Sequence, residues 1–85
     1  MYAQRLIAGA TYGPEVLQVL KKAFDDAWRE VSLGFEPPMA EAARYTLAQA
    51  ILAYAAPDST DSEELKNQAL RIMAFNYPEQ LGGKF

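Results

Sequence analysis

The chain has 85 residues, 51% of them hydrophobic and 12% aromatic, with eight Lys and Arg against eleven Asp and Glu for a net charge of −3. That length holds one core and is too short for two, and the apolar content lies well outside the signature of disorder. The absence of cysteine and histidine excludes disulfide staples, thiolate metal sites and imidazole chemistry, and scattered basic residues under a negative balance disfavour nucleic acid as a partner.

The lead-in from Met1 to Tyr12 carries one positive charge, Arg5, and an apolar stretch shorter than a secretory signal core, so no signal peptide is read and the cytoplasm is the expected location. Tyr2, Leu6 and Ile7 are spaced for one or two helical turns, a short helix or a docked arm. Gly13-Pro14-Glu15 then reads as a helix start, because proline tolerates the first helical position and Glu15 complements the positive end of the helix dipole. The first main helix is predicted over 14–32. Val16, Leu17, Leu20, Ala23, Phe24, Ala27, Trp28 and Val31 share one arc of it, and Gln18, Lys21, Lys22, Asp25, Asp26 and Arg29 occupy the other. Lys21 with Asp25, Lys22 with Asp26 and Asp25 with Arg29 have the four-residue spacing of solvated ion pairs. Trp28 closes the apolar ladder and is expected buried against the second helix.

Gly34 is expected to supply a left-handed stop, and Pro37-Pro38 prevents continuation while positioning a new first turn. The second helix is predicted over 38–55. Its main arc holds Met39, Ala43, Leu47, Ala50, Ile51 and Tyr54, while Tyr45 and Leu52 project nearly opposite, beside Ala48. A helix with two apolar faces and many alanines suits a central element contacted from both sides. The stretch from Met39 to Ala56 is near membrane-spanning length, but Glu41, Arg44 and Gln49 interrupt it, so no membrane association is expected.

Pro57 ends this helix, and Asp58-Ser59-Thr60-Asp61-Ser62 is a cluster of turn and cap residues. Either Thr60 with Glu63 or Asp61 with Glu64 has capping-box spacing for a third helix over 61–76, whose inward stripe is Leu65, Ala69, Ile72 and Met73. Phe75 falls off that stripe. Tyr77-Pro78 stops the helix, and Gly82-Gly83 assigns Leu81 and Phe85 to a loose tail. The fold expected is a single all-α domain over 1–85, a bundle of three main antiparallel helices with its core in 14–76, an N-terminal arm and a C-terminal tail.

Few groupings carry chemistry. Asp58, Asp61, Glu63 and Glu64 invite a calcium-loop reading, which requires glycine at the sixth position and a chelating glutamate at the twelfth; counted from Asp58 these are Glu63 and Ala69, so a capped helix start is the expected role. Asp25 and Asp26 diverge by about 100° on a helix and face lysines one turn away, which suits ion pairs rather than paired acid–base groups. No catalytic, cofactor-binding or metal-binding residue is expected, and the protein is read as not an enzyme. A helix-turn-helix regulator is one alternative, but Glu63 and Glu64 stand where base-reading residues would begin, leaving Lys66, Asn67, Gln68 and Arg71. A small-molecule binder or enzyme with an apolar slot lined by Trp28, Tyr45 or Tyr54 is another. Tyr45, Leu52 and Phe75 are the candidate interface. They either cover the termini or form an aromatic and aliphatic patch for a second copy or a partner protein. The function expected by elimination is a non-catalytic interaction or regulatory module, homodimeric or bound to a partner protein, working through a helix face.

The stretches Ala23-Phe24-Asp25-Asp26-Ala27-Trp28, Ala43 to Leu52 (ARYTLAQAIL) and Glu63 to Leu70 (EELKNQAL) resemble a group of small uncharacterised helical proteins of soil and plant-associated bacteria. The resemblance covers about residues 14 to 75 and implies a helical fold. It carries over no activity, cofactor, partner or functional residue.

Overall fold

Proline opens two of the three long helices. The computed structural model describes residues 12–56 and 58–81. Helix α1, Pro14–Val31, begins on Pro14 after an extended Gly13, with Glu15 in its first turn and no side-chain cap. Helix α2, Pro37–Tyr54, has prolines at both of its first two positions, where missing N–H groups leave no helical hydrogen bond unmade. Helix α3, Ser62–Asn76, is capped by Asp61, whose carboxylate accepts the Glu64 N–H at 3.1 Å. Of the two capping pairs the sequence allowed, the structure uses this one. A short helix α4, Pro78–Leu81, follows. The three predicted helices are therefore present, with ends displaced by one residue at most. The expected N-terminal arm with Tyr2, Leu6 and Ile7, the stop at Pro57 and the tail from Gly82 to Phe85 lie outside the described residues.

Each long helix packs against the other two. Leu20, Phe24 and Val31 of α1, Leu47 and Ile51 of α2 and Met73 of α3 are buried together, and the seams between them are lined by fully buried Ala23, Ala27, Ala43, Ala48 and Ala69. Ala48, assigned from the sequence to the second face of α2, is inside because α1 and α3 enclose a wide arc of that helix. Met39 and Tyr54, expected within the inward arc, stand at its rim, 40% and 48% exposed.

Two turn expectations are corrected. Gly34 is not left-handed, since no described residue has a positive φ. The chain leaves α1 through a 3-10 turn, Ser32–Gly34, closed by the Phe35 N–H donating to the Ser32 carbonyl at 3.2 Å. Leu81 does not belong to a loose tail. It is buried at the end of α4, its N–H donates to the Tyr77 carbonyl at 2.9 Å, and its side chain closes over Gly34. A local glycine pair made the segment look unanchored, but an apolar side chain with a cavity to fill overrides that signal.

Candidate functional site

Three successive residues of α2 divide its surroundings. At about 100° per residue, Arg44, Tyr45 and Thr46 point in three directions. The Arg44 guanidinium faces α1, lying 5.9 Å from the ring centre of Phe24 and 5.6 Å from that of Trp28. The Thr46 hydroxyl faces the far end of α3, 3.3 Å from the Tyr77 hydroxyl. Tyr45 lies between them and projects outward, 41% exposed. Leu52, two turns on, continues the same line, half-buried with its inner side against the core. Phe75 stands on α3, 87% exposed. It shares an edge with Gln68, seven residues earlier, and that edge borders α2, because Gln68 and Tyr54 line one shallow pocket of about 240 Å³. The candidate interface thus comprises two side chains on one helix face and a third on the neighbouring helix.

The outward arc of α2 differs in charge from those of its neighbours. Of its 18 residues only Glu41 and Arg44 are charged, and Arg44 is turned onto the aromatic rings of α1. On α1, Lys22 pairs with Asp26 at 3.0 Å and Arg29 reaches the same carboxylate at 3.6 Å. The hydrogen bond from Lys22 is the main reason the Asp26 carboxyl sits below the usual carboxylate range; desolvation opposes it, and the charges of Lys22, Arg29 and Lys66 add smaller contributions. Of the three pairs anticipated for this face only Lys22 with Asp26 is present; Arg29 uses Asp26 rather than Asp25, and among the described residues no ion pair joins Lys21 to Asp25. Lys66 of α3 bonds both Glu30 of α1 and Glu63, so one of the side chains a base-reading helix would need is already engaged.

Trp28 is the clearest correction. It was expected buried; it lies at the expected α1–α2 contact but is only half-buried. Its position at the rim of the inward arc leaves one edge to solvent, while Phe35 stacks on it at 5.9 Å between ring centres and an interplanar angle of 15°. Phe35 in turn meets Tyr77 edge-on at 4.9 Å. Phe35 carries no periodic signal, being flanked by Gly34 and the proline pair, and so escaped sequence reasoning. Arg44 escaped it too, since a charged residue within an apolar helix reads as a surface position. Its Nε is buried with no hydrogen-bond partner, and among the described residues no carboxylate pairs with it. A donor left in that state costs about 1–3 kcal/mol, offset here by the facing rings.

The acidic residues ahead of α3 act as a cap and an ion pair, through Asp61 and Glu63 respectively. Among the described residues no group of acidic side chains is placed to hold a metal ion, and no helix is long and apolar enough to cross a membrane. Trp28 and Tyr54 open onto different sides of α2, the first toward α1 and the second toward α3. No protein-family model, no curated protein and no solved structure matches this chain.

Proposed function

We propose that the protein is a non-catalytic interaction module of the cytoplasm that associates with a second copy of itself through the outward face of α2. The observation that carries this reading is the near absence of charge on that face, where Tyr45 and Leu52 project while the flanking helices present ion pairs. Two copies, each with a net charge of −3, meet at least electrostatic cost where neither brings a row of carboxylates. A two-fold contact lets the same patch serve both partners. An 18-residue helix is about 27 Å long, and a strip of that length falls short of the roughly 800 Å² per partner of a stable complex. The area must be completed by other exposed apolar side chains, for which Phe75 of α3 is the candidate, and the association is weak and reversible.

Sedimentation tests this. At micromolar to tens of micromolar concentration the wild-type protein is expected to populate a dimer that Leu52→Glu and Phe75→Ser each weaken. A wild-type monomer throughout that range overturns the proposal, as does a dimer that both substitutions leave intact.

A further inference from the structure

Arg44 points to a second, independent property of this surface. Its guanidinium rests against Phe24 and Trp28 at 5.9 and 5.6 Å from their ring centres, and its Nε is sealed from water without an acceptor. The carboxylates that form ion pairs elsewhere on α1 and α3 are taken: Asp26 by Lys22 and Arg29, and Glu30 and Glu63 by Lys66. Asp25 and Glu41, one turn before Trp28 and Arg44 respectively, are exposed, and neither pairs with the guanidinium. With Nε enclosed, the two terminal Nη nitrogens are the open end of the side chain. They present parallel N–H groups, the donor geometry that a carboxylate meets with both oxygens. The cation is partly desolvated by its aromatic walls, so an arriving anion displaces less water than it would from an exposed arginine.

We propose that the seam between α1 and α2 binds a carboxylate carried on an apolar or aromatic body, with Arg44 taking the carboxylate end-on and the open edge of Trp28 covering the body. The carboxylate comes either from a small organic acid or from the C-terminus of a peptide. This inference does not depend on self-association, since it concerns the α1 side of α2 and a cation rather than the line of Tyr45 and Leu52.

Trp28 is the single tryptophan of the chain and lies beside the binding group, so its fluorescence reads the site directly. Phenylacetate is expected to change Trp28 emission saturably with a Kd of about 1 mM or tighter, as suits a fragment of this size, while neutral phenylacetamide leaves it unchanged. An acetylated tripeptide ending in Phe with a free carboxylate, set against its C-terminal amide, separates the two sources: a peptide acid tenfold tighter than phenylacetate assigns the site to chain termini, and the reverse order assigns it to small acids. Arg44→Lys keeps the charge but loses the fork, and is expected to weaken binding at least tenfold. Nitrogen-15 NMR of the Arg44 Nε–H in the wild-type protein supplies a reading that requires no variant, with a shift expected on adding the acid alone. Equal responses to acid and amide, no saturable change, or undiminished binding by a folded Arg44→Lys overturns the proposal.

Discussion

Lys66 holds Glu30 at 2.9 Å and Glu63 at 2.8 Å, so one ammonium fastens α3 to α1 while bracing the first turn of its own helix. Its pKa is raised well above the ordinary lysine value, chiefly by the hydrogen bond to Glu63 and next by that to Glu30, against a smaller desolvation cost. A group whose pKa rises on folding contributes in full below its unfolded value, about 10.4 for lysine, and loses that contribution as pH climbs through the folded value. The melting-temperature gap between wild type and Lys66→Gln is therefore expected to stay constant from about pH 7 to 9 and to close above about pH 10.4. A gap that persists undiminished above about pH 11 would assign the effect to lost packing of the lysine stem, which does not titrate.

Gly34→Ala distinguishes the observed turn from the one its sequence suggests. A left-handed glycine would make alanine destabilising, but φ here is not positive and a methyl group would sit 3.4 Å from the Gln80 carbonyl oxygen and 3.5 Å from Leu81. Those are ordinary contacts. The substitution is expected to be neutral or to stabilise by up to about 1 kcal/mol through the unfolded state, as measured by urea denaturation.

Leu81→Ala is expected to cost about 2–5 kcal/mol, the range for a fully buried leucine, because its side chain is 2% exposed. Denaturation midpoints check it. A cost below about 1 kcal/mol would mean that α4 is not part of the cooperative unit.

Trp28→Ala is expected to cost about 2 kcal/mol, less than the roughly 3–5 kcal/mol of a fully enclosed tryptophan, since part of the ring is already in water. Trp28→Phe keeps the stack on Phe35 and is expected to lose under about 1 kcal/mol. Thermal melts of the two variants supply the comparison.

Duplex DNA of mixed sequence is expected to give no anisotropy change at physiological salt, given the net charge of −3 and the engagement of Lys66 by two glutamates. Salt-sensitive binding at micromolar concentration would promote the helix-turn-helix reading.

The helices were legible because their signals are local: Pro14, the Pro37-Pro38 pair and the Asp61 cap each act within one turn. Tyr45 and Phe75 were legible as positions off the inward stripes, though not whether the termini would cover them. What could not be read depends on residues distant in sequence. Leu81 is buried by returning over Gly34, Phe35 by lying between Trp28 and Tyr77, and Ala48 by the approach of neighbouring helices. Arg44 is the sharpest case. Its chemistry arises from the rings of α1 meeting it across the bundle, and nothing within four residues of it in sequence announces that encounter.

The five alanines that line the helix seams have no side-chain torsions to set. Packing them forfeits no rotamer freedom, and it draws the axes toward the near end of the usual spacing of roughly 8–10 Å. It also removes a means of adjustment. Where leucines meet, a crowded neighbour is accommodated by turning a side chain to another staggered position; where alanines meet, backbone faces backbone and a whole helix must slide or tilt. An added methylene at Ala43 or Ala48 would therefore meet a neighbour with no torsion of its own to relieve it, and the strain would fall on the facing side chains or helix.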